Sequence, residues 1–114
     1  MGEAEQSALE GIRILEELHL RPSYSQGYVY LGEFYLDAGQ KEKAFEALKR
    51  AEANFREMGI EWWLARVHGA YAELWKREGD TAKAKESYRT AVEIFRQCGA
   101  DGWVMKYEKQ LAQL

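Results

Sequence analysis

Small and apolar residues recur along the chain at alternating steps of four and three, with charged residues between them. From Glu3 to Leu18 the series is Ala4, Ala8, Gly11, Leu15 and Leu18, the seam of a helix packed along one face. Forty residues on, the same seam returns as Ala44, Leu48, Ala51, Phe55 and Met58. The pattern predicts six helices, over about 3–18, 24–38, 41–58, 61–78, 81–98 and 101–114. Pro22 cannot sit inside a helix and disfavours helix in Arg21, so it is expected to end the first region. Ser23 with Gln26 forms a capping-box pattern for the second helix. Gly39, Gly59, Gly79 and Gly99 stand at the predicted stops, and His19 aligns with Gly59 and Gly99 as a helix-end residue. Asp80 and Asp101 are expected N-caps. Connections this short favour antiparallel neighbours.

Sliding the chain over itself by 40 residues pairs Tyr24–Ile60 with Leu64–Ala100. The identities are Glu33/Glu73, Gly39/Gly79, Lys43/Lys83, Ala44/Ala84, Glu46/Glu86, Ala51/Ala91, Phe55/Phe95, Arg56/Arg96 and Gly59/Gly99. Ordinary composition would give roughly two or three. A period of this length marks stacked supersecondary units, each burying its apolar face against its neighbours. The expected fold is all-α, a six-helix antiparallel helix-turn-helix solenoid forming a single domain over 1–114. It comprises the second helix of a partial repeat (3–19), two repeats (23–59 and 61–99) and the first helix of a further partial repeat (101–114). On this reading the chain opens on the second helix of a unit whose first helix is missing.

Composition narrows the function. At 114 residues the chain has room for one domain with a real core. The net charge of −3 gives no broad pull toward nucleic acid or an anionic membrane. The lone Cys98 rules out an internal disulfide and fits a reducing, cytoplasmic compartment. It aligns with Leu18 and Met58, so it is expected as a buried small hydrophobe. No signal peptide and no apolar run of membrane-spanning length is present. No catalytic residue, cofactor site or metal site emerges: His19 and His68 lie far apart, neither in a zinc-protease pattern, and no phosphate-cradling glycine loop occurs. Trp63 and Trp103 share one repeat position, which marks structure rather than base stacking.

These residues resemble a tetratricopeptide repeat. Its bulky–Leu–Gly–Tyr, glycine and Ala–Leu–Ala positions are filled by Tyr28, Leu31, Gly32, Tyr35, Gly39, Ala44, Leu48 and Ala51, then more loosely by His68, Tyr71, Ala72, Trp75, Gly79, Ala84, Tyr88 and Ala91. The period is 40 rather than 34, and the proline expected after the second helix is absent. The stretch from Gly39 to Arg66 also resembles the long-helix repeats of bacterial multidomain signalling proteins, which implies a fragment of a larger signalling or regulatory protein. In the packing so implied, Ala44, Ala51, Ala84, Ala91, Gly32 and Ala72 let backbones approach, while Tyr35, Trp75, Phe55 and Phe95 fill between them.

The resemblance implies a non-enzymatic scaffold or adaptor that binds a protein or peptide in a concave groove, without nucleic acid or membrane. Carried over by position, the groove residues are Gln26, Val29, Tyr30 and Glu33, then Arg66, Gly69, Ala70, Glu73 and Arg77, then Lys106, Lys109 and Gln110. Val29 and Tyr30 are expected as an exposed apolar pair that anchors a ligand. The basic end at Lys106 and Lys109 suits an acidic peptide terminus. Gly69, mid-helix, is expected to serve either ligand approach or a close helix crossing. Asn54, the single asparagine, falls on a second helix, which argues against the carboxylate-gripping mode of some family members. The alternative is self-assembly. Ile12 and Ile14 at the front, with Val104, Tyr107, Leu111 and Leu114 at the back, are apolar positions expected to lack cover and to join copies into a homo-oligomer.

Overall fold

The seams fold as their spacing dictates. A computed structural model describes residues 2–114 as α1 (Gly2–Glu17), α2 (Arg21–Asp37), α3 (Lys41–Met58), α4 (Glu61–Arg77), α5 (Thr81–Gln97) and α6 (Asp101–Ala112). No strand occurs among the described residues. The fold is all-α, as the pattern predicts.

The corners repeat like the helices. His19, Gly39, Gly59, Gly79 and Gly99 have φ of 57°, 75°, 68°, 81° and 71°. All are left-handed, a conformation that glycine adopts freely and that costs other residues free energy. After four of the five corners, those at 19, 39, 79 and 99, the next residue turns back on the helix just ended. Leu20 N–H reaches Leu15 O, Gln40 N–H reaches Tyr35 O, Asp80 N–H reaches Trp75 O and Ala100 N–H reaches Phe95 O, at 2.8–3.0 Å. These bonds satisfy carbonyls that a helix end leaves open.

Two helix starts differ from the sequence reading. α2 begins at Arg21, with Leu20 as N-cap and Pro22 in the first turn. Proline is tolerated there because first-turn N–H groups have no partner within the helix. The Ser23–Gln26 box therefore caps nothing. Asp101 is the first residue of α6 and Ala100 is its N-cap. Asp80 does cap α5, accepting the Lys83 N–H at 3.0 Å.

The chain divides into two compact units, Met1–Met58 and Gly59–Leu114. In the first, α1 and α3 both pack on α2. Tyr28, Leu31, Gly32 and Tyr35 of α2 are buried, as are Ala44, Ala47, Leu48, Ala51 and Phe55 of α3. A Cβ on Gly32 would lie 2.8 Å from Leu48 Cδ2, so glycine sets that crossing. α1 contributes one buried side chain, Ile12, seated where a Cβ on Gly27 would lie 2.9 Å from its Cγ1.

In the second unit, α4 and α6 both pack on α5. The core is Ala65, Ala72, Tyr88, Ala91, Val92, Phe95, Val104 and Tyr107, with Trp62, Trp103 and Leu111 partly buried against it. Phe95 stacks on Trp103 with centroids 5.4 Å apart and meets Trp62 edge-on at 5.7 Å. Trp75 is half-buried rather than enclosed, with Lys83 Nζ 4.5 Å from its ring centroid. Cys98 is exposed, against expectation. It is the C-cap of α5, beyond the last turn the core covers.

Candidate functional site

Burial sorts the groove residues that the sequence proposes. Val29 is fully buried and Tyr30 is 54% exposed, so the expected exposed pair is one residue, not two. Adjacent helix positions point about 100° apart, and the core takes Val29. Gly69 and Ala70 are also buried. A Cβ on Gly69 would fall on the Tyr107 phenol, so this glycine serves the approach of α6 rather than a ligand. Gln26, Glu33, Arg66, Glu73 and Gln110 are half-buried, and Arg77, Lys106 and Lys109 are exposed.

The basic positions of the second unit gather on tryptophan. The Arg66 guanidinium lies 4.8 Å from the Trp103 centroid and 5.4 Å from that of Trp63. Lys106 Nζ lies 4.8 Å from Trp103. The ring quadrupole attracts both cations. Arg77 is paired with Glu73 at 3.1 Å.

The end-face residues also divide. Ile12, Val104 and Tyr107 are buried within the chain, because α2 covers the first and α5 covers the other two. Ile14 is exposed, and Leu111 and Leu114 are half-buried. Met105, which the sequence reading passed over, is 71% exposed. It occupies the repeat position of Ser25 and Ala65, both at 0%.

The open apolar surface of the first unit lies elsewhere, along the seam of α1 itself. A groove of about 310 Å³ runs between α1 and α2, lined by Ala4, Ser7, Ala8, Gly11 and Leu15 on one wall and Gly27, Tyr30 and Phe34 on the other. On α3 the matching residues Ala44, Leu48, Ala51 and Phe55 are all at 0% exposure. On α1, Ala4 and Gly11 are exposed, and Ala8 and Leu15 are half-buried. The signal was in the sequence: the seam that repeats in α3 and α5 belongs to a face that a preceding helix covers in both.

A second hollow, of about 320 Å³, opens over Tyr28, Leu31 and Tyr35 between Glu5 and Leu9 of α1 and Lys43 and Arg50 of α3. It is wired rather than vacant. The Tyr35 hydroxyl donates to Glu5, which Lys43 also approaches at 3.5 Å. The Tyr28 hydroxyl donates to Glu16 at 3.2 Å and accepts from Arg50 at 3.3 Å. The Tyr35 hydrogen bond holds the Glu5 carboxyl below its usual range. Burial, then the Glu5 hydrogen bond and charge, push Tyr35 up to about 12. The arrangement ties α1 to α2 through phenols and carboxylates.

The sequence profile of the soluble NSF attachment proteins, SNAP, matches residues 16–114. The chain belongs to the SNAP family. The match takes in all of α2 to α6 and only Glu16 and Glu17 of α1, so the α1 wall of the apolar groove lies outside it. No curated protein matches the chain at a significant level. No described helix of this SNAP-family chain is long and apolar enough to cross a membrane.

Proposed function

We propose that this SNAP-family chain is a protein-interaction module of the tetratricopeptide type, a scaffold or adaptor that holds another polypeptide against its helices without catalysing a reaction on it. The family is named for attachment of a protein, NSF. The observation that carries the reading here is Tyr30, 54% exposed at the lip of an apolar groove. Exposed aromatics beside apolar hollows anchor partners, because tyrosine brings large contact area at little entropic cost. Arg66, Lys106 and Lys109 supply cationic positions on the second unit for acidic groups of a partner.

The test is photo-crosslinking in the source cell, with benzoylphenylalanine placed at Tyr30 or at the exposed Glu93. A discrete protein adduct at position 30, absent at position 93, is the expected result. Equal, diffuse labelling from both positions counts against the reading.

One observation favours a second reading, self-association through α6. Met105 is 71% exposed where the two preceding repeats bury Ser25 and Ala65. Light scattering on the wild type and on Met105→Asp decides it: a dimer that the substitution dissociates supports this reading, and a monomer in both removes it.

A further inference from the structure

The charges beside the α1 groove specify what fits it. On α3 the matching face is edged by Lys43, Arg50 and Glu57, seven residues apart. Seven residues are close to two helical turns, so the three stand in one row. Each meets α2. Lys43 Nζ lies 5.6 Å from the Tyr35 ring, Arg50 donates to the Tyr28 hydroxyl at 3.3 Å, and Glu57 pairs with Arg21. The α2 partners also step by seven, in reverse, because the helices are antiparallel.

Forty residues earlier, the same edge of α1 is Glu3, Glu10 and Glu17, all exposed. Arg13 bridges Glu10 and Glu17 and offsets one of the three charges. The rung residues are thus acidic where the internal join has two cations. The seam differs too. Ala8 stands where α3 has Leu48, whose side chain fills the space beside Gly32. A Cβ on Gly11 would meet nothing within 4 Å. The groove therefore has room opposite Ala8 and Gly11 that the internal join lacks.

Resting on the protein-binding reading above, we propose that the α1–α2 groove receives an amphipathic helix from another polypeptide. That helix carries lysine or arginine at three positions seven apart, to meet Glu17, Glu10 and Glu3. It carries a bulky apolar residue between the last two cations, to fill the space over Ala8. A second copy of this chain is the wrong occupant. In repeat register α6 offers Asp101 and Glu108 to Glu17 and Glu10, and like charges brought together oppose the join.

The test uses the whole chain and two labelled synthetic peptides copied from Arg21–Asp37. One carries Y28K, G32L and Y35K; the other carries R21E, Y28E, G32L and Y35E. Fluorescence anisotropy at low salt is expected to show the lysine peptide binding about tenfold tighter or more, from three charge contacts acting together. Glu10→Lys with Glu17→Lys on the chain should invert that order. Ala8→Trp, which fills the groove from an open face, should weaken binding at least as much while the helical circular dichroism stays unchanged. Equal binding of the two peptides overturns the proposal. So does lysine-peptide binding that Ala8→Trp leaves intact, or a wild-type dimer that Ala8→Trp dissociates, which would give the groove to a second copy. Loss of the peptide preference with the Tyr30 cross-link retained overturns the basic helix alone; loss of both overturns the protein-binding reading with it.

Discussion

The two units use one helical pattern and hold their outermost helices by different chemistry. In the first, α1 sits on α2 through one buried side chain, Ile12, and through phenol–carboxylate bonds from Tyr28 to Glu16 and from Tyr35 to Glu5. In the second, α6 sits on α5 through Val104 and Tyr107, with Trp103 stacked on Phe95. Aromatic burial is worth several times a hydrogen bond exposed to water on one side. A shared period thus fixes where helices lie and leaves open how firmly each is held. The loosely held helix is also the one that walls the apolar groove.

The largest test of this contrast is Phe95→Ala. It removes the ring that Trp62, Trp103 and Tyr107 surround and should cost about 3–5 kcal/mol in urea denaturation. A loss below that of a typical surface change would mean the aromatic cluster does not hold α6. Next is Gly69→Ala. Its new methyl would displace the buried Tyr107 ring, for a loss of about 1–3 kcal/mol. Gly11→Ala on the open wall of α1 should act in the opposite sense, gaining about 0.5–1 kcal/mol by restoring helix propensity in empty space. If both alanines destabilise, the face at Gly11 is not open. His19→Gly relieves a left-handed residue and should gain about 1 kcal/mol, read as a higher Tm.

The smallest effect is one of pH, and in the first unit it acts through the bond between Tyr35 and Glu5. Folding lowers the Glu5 pKa, so its contribution is present above the carboxylate's unfolded value and is lost as pH falls through the lower folded value. Folding raises Tyr35 to about 12, so its contribution is present below the unfolded value near 10 and is lost as pH climbs through about 12. NMR signals of α1 should therefore broaden or shift at both extremes before those of α6. Tyr35→Phe should weaken that early response, leaving the Tyr28–Glu16 bond as the remaining tie. Simultaneous change in α1 and α6 in both proteins would show that the phenol bond contributes nothing.

The helices were legible because period and seam are local properties of the chain. Their starts were less so. Ser23–Gln26 and Asp101 look like caps, yet Pro22 in the first turn and Ala100 at the boundary set the ends instead. The candidate surface was legible only in part. Tyr30 and the lysines of α6 are exposed, whereas Val29, Gly69 and Ala70 are not, because which flank of a helix a neighbour takes is decided by tertiary packing. Ile12, Val104 and Tyr107 were misread for the same reason: each is covered by a helix from its own unit. Cys98 shares a position with Leu18 and Met58, and a shared position does not guarantee cover where a helix runs out.

The left-handed corners fall at residues 19, 39, 59, 79 and 99, which makes the chain a ruler marked in twenties. Such a molecule can grow or shrink by whole forty-residue pairs and keep every joint. It has little tolerance for smaller changes. One amino acid added in the middle of a rod turns the remainder of that rod by about 100°, carrying its stripe off the neighbour before the next corner can correct it. Length variation among natural or designed descendants should accordingly come in full steps, or be confined to the bends.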